Sequence, residues 1–179
     1  MDLFMSNARI KNAFDEAIFL MDQSIASFES AKVLVDSPSE YTSMPIITLQ
    51  SFSLECSLKS LLLLTCGKYP SSHDVLDLFE RLPEDEKKAL LGEFLDLTEV
   101  DLKNALTEIR RDFIGSRYYF EDFRKSYVGR AFSTGYLEAV ANFFIDYIKD
   151  NGDSIYQQYG SGSSVTCSPH VMLSTKLER

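Results

Sequence analysis

Between residues 110 and 130 the chain collects groups suited to gripping phosphate. Arg110, Arg111, Arg117, Arg124, Lys125 and Arg130 are interleaved with Phe113, Tyr118, Tyr119, Phe120, Phe123 and Tyr127. A guanidinium presents a planar fork that matches two phosphate oxygens, and aromatic faces stack on bases. Five of the chain's eight arginines lie in this stretch. With Asp112, Glu121 and Asp122 counted it is +3, so in a chain of net charge −9 the remainder carries −12. The mixture suits a nucleotide or single-stranded RNA held by Arg110, Arg111, Arg117, Tyr118 and Arg124. It also suits arginines that pair with the acidic surface around them, and the spacing leaves both readings open.

Other chemistries find less material. His73-Asp74 reads as a metal-binding pair only on paper, because neighbouring helical residues point in different directions and the remaining ligands are missing. Cys56, Cys66 and Cys167 are odd in number and show no Cys-x-x-Cys spacing, so no metal is expected; Cys56 and Cys66 fall in a helix expected to be buried, where thiols behave as small hydrophobes. Serine-rich stretches occur without a Gly-x-Ser-x-Gly elbow. Phosphate-loop and dinucleotide-binding fingerprints are absent, and no cofactor is expected.

The elements that position these groups are helical. Ile10, Phe14, Ala17, Ile18, Met21, Ile25, Phe28 and Val35 form one apolar stripe, stopped at Asp36-Ser37-Pro38-Ser39. A second helix is predicted from Pro45 or Ile46 to Cys66, capped by Gly67 and apolar around much of its circumference, as a central helix is. Ser71 and Ser72 offer caps for a short helix running to Leu82, and Pro83 opens the next one through Leu95. Thr98 offers a cap for a helix carrying Val100, Leu102, Leu106, Ile109 and Phe113. The last helix spans Thr134 to Lys149. Strand signals and internal repeats are nearly absent. The expected architecture is an all-α bundle of four to five main helices plus short ones over residues 1–150, with a flexible polar tail over 151–179.

At 179 residues the chain is long enough for one domain with a real core. Its acidity disfavours generalised binding to polyanions. Met1-Asp-Leu-Phe-Met-Ser-Asn7 has no basic region ahead of an apolar one, and the Leu61–Leu64 block is far short of the ~20 apolar residues that span a bilayer. A cytoplasmic protein without membrane contact is expected.

The run Phe52-Ser-Leu-Glu55-Cys-Ser-Leu-Lys59-Ser-Leu-Leu-Leu-Leu-Thr-Cys-Gly67, followed by Pro70-Ser-Ser-His73-Asp74-Val75, resembles the second helix and following turn of HEPN domains. The family pattern has a glutamate, then a leucine-lysine pair in a leucine-rich helix, a glycine turn, and His-Asp-Leu leading a short helix; Val75 stands for that leucine. Arg117-Tyr118-Tyr119-Phe120-Glu121 is similar to a later arginine-tyrosine segment. The resemblance implies a helical bundle paired as a homodimer, found in toxin–antitoxin and phage-defence proteins. In catalytic members an Arg-x4–6-His motif in the dimer cleft cuts RNA without a metal. Arg111-Asp112 matches the start of that motif, but Ser116, Arg117 and Tyr118 occupy the histidine positions. Arginine stays charged where histidine exchanges protons near neutral pH, so the usual acid–base agent is missing. Three expectations follow: a homodimer that binds RNA or a nucleotide, a divergent metal-independent ribonuclease using Arg111 with Ser116, Tyr118 or His73, and a module that docks a protein partner, supported by the acidic charge and the apolar second helix.

Overall fold

The structure, a computed structural model, describes residues 12–37, 42–110, 112–117 and 134–159. The helices are α1 (Ala13–Asp36), α2 (Ser43–Cys66), α3 (Val75–Glu80), α4 (Glu84–Thr98), α5 (Leu102–Ile109), α6 (Asp112–Arg117) and α7 (Thr134–Tyr159), with no strand among the described residues. The all-α architecture expected from the periodicity is the architecture found.

Asn12 opens α1 by accepting the Asp15 N–H at 2.9 Å, and Asp15 and Glu16 sit at the positive end of the helix dipole. α2 starts ahead of Pro45, since a proline in the first turn lacks only an N–H that has no intrahelical partner. It ends at Gly67, which adopts φ 67° and returns its N–H to the Leu63 carbonyl at 3.0 Å.

α2 is the hub, packed against α1, α7, α6 and α3. It is long and apolar enough to cross a membrane, yet every residue from Ser53 to Thr65 is buried among the other helices, as in the core helix of a bundle. The apolar excess that supported a protein-docking reading is therefore consumed inside the fold. Along α1 the contact is a seam of small side chains. Ser24 Oγ lies 2.9 Å from Ser53 Oγ and 2.6 Å from Ser57 Oγ, and Ser60 Oγ donates to the Ala17 carbonyl at 2.8 Å. These buried hydroxyls satisfy one another and the backbone, so close helix approach costs no unpaired polar group. Toward α4 and α7 the core is aromatic instead: Phe143 meets Phe94 edge-on at 5.0 Å and Phe144 at 5.5 Å between ring centroids.

Two helix starts depart from expectation, with aspartates in the cap positions. Asp74, not Ser71 or Ser72, caps α3, accepting the N–H groups of Leu76 and Asp77 at 3.1 and 3.3 Å. Thr98 closes α4 by donating to the Phe94 carbonyl, and Asp101 caps α5 through the Asn104 N–H at 2.7 Å. Asp74 and Asp101 are the residues that stand immediately before the first helical residue, where a side-chain oxygen reaches the free N–H groups. The helix expected to run on to Phe113 breaks at Arg110, whose carbonyl accepts the Val75 N–H at 3.1 Å. Residues 151–159, expected to belong to the tail, are instead the last turns of α7, which continues to Tyr159. Ile155 is buried, Gly152 lies against Leu64, and Tyr156 packs on Phe14 with centroids 4.2 Å apart, so these residues extend the core rather than leave it. The remainder of the expected tail, residues 160–179, falls outside the described residues. Cys56 is buried as expected, but Cys66, at the end of α2, is exposed.

Candidate functional site

One face of the bundle concentrates polar groups that the core does not require. Glu55 and Lys59 stand one turn apart on α2, a spacing that places them on the same helix face. The Lys59 Nζ donates to Glu55 Oε1 at 2.7 Å, with the two side chains 11% and 4% exposed. Lys59 also lies 5.3 Å from the ring centroid of Tyr69, whose hydroxyl donates to Glu16 at 2.8 Å.

The turn after Gly67 brings His73 back onto this pair. Its Nδ1 is 2.9 Å from Glu55 Oε1 and 3.1 Å from Oε2. The imidazole also tilts against Phe113 at 5.7 Å, and Phe113 stacks on Phe52 at 5.5 Å. His73 precedes the α3 cap, rather than standing inside a helix as its position after Ser71-Ser72 suggested, and its side chain remains 47% exposed.

Asp74 joins this face to the end of α5. Its carboxylate takes Arg110 Nε at 3.0 Å and Nη2 at 2.7 Å while capping α3. Burial works against the Asp74 carboxylate, but the Arg110 hydrogen bonds and the Asp77 and Leu76 N–H groups prevail and hold its carboxyl below the usual range. The same bonds raise the Arg110 guanidinium. Arg110 thus has its charge matched, yet only two of its five N–H groups are committed to Asp74, and its side chain is 42% exposed.

Of the residues expected to act, Arg110 and His73 are brought together through the adjacent Asp74. Ser116 is buried with its hydroxyl donated to the Phe113 carbonyl at 3.1 Å, a position that withdraws it from surface chemistry. Arg111, Tyr118, Arg124 and the Arg117 side chain lie outside the described residues. Cys56 is no nucleophile: burial, followed by the Glu55 charge, pushes its thiol up to about 12. Nor does His73 with Glu55 make a cation site, since the Lys59 ammonium already occupies Glu55 Oε1; no group of three metal-ligating side chains occurs among the described residues. Glu55, Lys59 and Asp74 were not expected as functional partners. The signal for Glu55 and Lys59 was a Glu-Lys pair at helical spacing inside an otherwise uncharged helix.

A family model for the HEPN domain matches residues 17–135. The chain belongs to the HEPN family. The match runs from α1 to the start of α7 and takes in Glu55, Lys59, His73, Asp74 and Arg110. What the sequence shows as separated letters of a HEPN pattern is one joint in space, where α2, the α2–α3 turn and the end of α5 are tied together by two carboxylates. Comparison with curated proteins and with solved structures finds no match.

Proposed function

We propose that this HEPN protein binds RNA or a nucleotide as a cytoplasmic homodimer, in the phage-defence or toxin–antitoxin setting that the family resemblance implies. The observation that supports the reading is the pairing of a half-exposed imidazole, His73 on Glu55, with a half-exposed guanidinium, Arg110 on Asp74. Both are held by carboxylates, so little side-chain freedom remains to be given up when a ligand arrives. Arg110 offers its uncommitted N–H groups, and the sequence adds Arg111, Arg117, Arg124 and Tyr118 as further phosphate-binding and stacking side chains. Replacing Arg111→Ala together with Arg117→Ala is expected to weaken binding of single-stranded RNA at low salt. It should also reduce the slope of log affinity against log salt by roughly 0.7 for each phosphate no longer neutralised. Unchanged affinity and slope overturn the reading. Sedimentation as a monomer at micromolar concentration overturns the dimer.

The second reading, a metal-independent ribonuclease, is favoured by the contact of His73 with Glu55, which resembles the carboxylate-held imidazoles that move protons in catalysis. Total RNA incubated with the protein and a chelator is expected to be cleaved, with activity abolished in Arg111→Ala and in His73→Ala. Intact RNA removes this reading and leaves the binding one.

A further inference from the structure

We infer that Glu55 is a positioning residue that fixes His73 in its Nδ1–H tautomer, so that the Nε2 lone pair is the group offered to a ligand hydroxyl. The inference rests on the RNA-binding reading for the identity of that hydroxyl, the ribose 2′-OH.

A carboxylate accepts hydrogen bonds and donates none, and both Glu55 oxygens lie within 3.1 Å of His73 Nδ1. The proton of the neutral ring must therefore sit on Nδ1, which leaves Nε2 as acceptor. Free imidazole side chains in water favour the opposite tautomer, so the protein imposes this one. Three elements enforce it. From α2, Lys59 binds the same Glu55 Oε1 and balances its charge. From α6, Phe113 supports the ring face. The next residue, Asp74, is itself anchored, because its carboxylate caps α3 and accepts from Arg110. Glu55 is paired with Lys59 and Asp74 with Arg110, so each of these two carboxylates has a cation beside it. Glu55 is 4% exposed and His73 47%, so the arrangement reaches from the core to the surface with its accepting atom on the ring edge not taken by Glu55. An acceptor there recognises a hydroxyl donor, and the 2′-OH is the group by which a protein tells RNA from DNA.

The test uses the full chain with 15N-labelled histidine, read by two-bond proton–nitrogen correlation at mildly alkaline pH; His170→Gln assigns the His73 signals. The wild type is expected to show the Nδ1–H pattern. Glu55→Leu with Lys59→Met removes both charges at once, an exchange that buried ion pairs tolerate, and is expected to switch His73 to the Nε2–H pattern. An Nε2–H wild type, or a tautomer unmoved in the folded double variant, overturns the inference; if the double variant fails to fold, the wild-type spectrum still decides. In parallel, the affinity ratio of oligouridine over oligodeoxyuridine is expected to fall roughly three- to tenfold in the double variant and in His73→Ala, the value of one neutral hydrogen bond. A fixed tautomer with an unmoved ratio overturns the assignment of Nε2 to the hydroxyl and leaves RNA binding standing. A wild type that binds neither oligomer overturns the RNA reading and leaves the positioning by Glu55 standing.

Discussion

Two buried glutamates solve the same problem differently. Glu55 on α2 and Glu86 on α4 are both buried. Glu86 is answered by a neutral donor, the Tyr147 hydroxyl at 2.7 Å, and the pair stitches α4 to α7. Burial pushes the Glu86 carboxyl up, and the phenol pulls it only part of the way back. Burial and then the Glu86 hydrogen bond push the Tyr147 phenol up in turn. Glu55 instead takes a cation from its own helix and an imidazole from a turn 18 residues away. Glu86 and Tyr147 close on each other inside the core and present nothing outward. The Glu55 cluster ends on a half-exposed ring. One neighbour is enough to hold Glu86; Glu55 takes a second, and that second is a half-exposed imidazole.

The largest effect expected from this contrast is at Lys59. Lys59→Met leaves Glu55 buried without its counter-charge and is expected to cost about 3–5 kcal/mol in denaturant unfolding. The double change Glu55→Leu with Lys59→Met is expected to restore most of that stability. Equal stability of the single and double variants would show that the cost of Lys59→Met does not come from an uncompensated Glu55 charge.

Next in size is Tyr147→Phe, which removes the hydroxyl that donates to a buried carboxylate and is expected to cost about 1–3 kcal/mol at neutral pH. Without the phenol, the ionised form of Glu86 is disfavoured further, so the cost should shrink as pH falls toward 4.5, the ordinary glutamate value. Glu86→Gln sharpens the same point. A folded carboxyl raised above its unfolded value means that the unfolded chain ionises first as pH climbs, so wild-type stability falls from 4.5 up to the folded value and stays reduced above it. Glutamine does not titrate, and thermal unfolding at several pH values should move in favour of Glu86→Gln from acid toward neutral. A pH-independent difference would mean that Glu86 is as well solvated as an exposed glutamate.

Much of the fold was legible because helical periodicity is a local signal: the apolar stripes of α1, α2 and α7 are readable from residue spacing alone. Helix ends were less so. Asp74 and Asp101 displaced the expected serine and threonine caps, and Tyr156 reaching Phe14 kept α7 intact through a polar sequence. The site was legible only as letters. Glu55, Lys59, His73 and Asp74 stand in the HEPN-like run, but no spacing rule says that His73 folds back on Glu55, or that Asp74 meets Arg110 from 36 residues away. Those contacts depend on the turn at Gly67 and on the break after α5, which are tertiary facts. The charge pattern, by contrast, pointed to residues 110–130, and at Arg110 a carboxylate matches the guanidinium.

The smallest effect concerns that match. Asp74 lies between the two glutamates in character: a cap for α3 as well as a partner for an exposed guanidinium. Asp74→Asn keeps a good cap, since asparagine and aspartate serve that position about equally, and removes only the charge facing Arg110. The Asp74 carboxyl is held below its ordinary value of 3.8, so its contribution to stability is complete above that pH and disappears as pH falls through the lower folded value. Unfolding curves for wild type and Asp74→Asn should therefore run nearly parallel at neutral pH, with the small advantage of the wild type vanishing only on the acid side of 3.8. The same substitution frees the Arg110 fork. If that face grips phosphate, RNA affinity at low salt should rise in Asp74→Asn and the salt slope should steepen, whereas a guanidinium whose only task is to tie α5 to α3 would leave both unchanged.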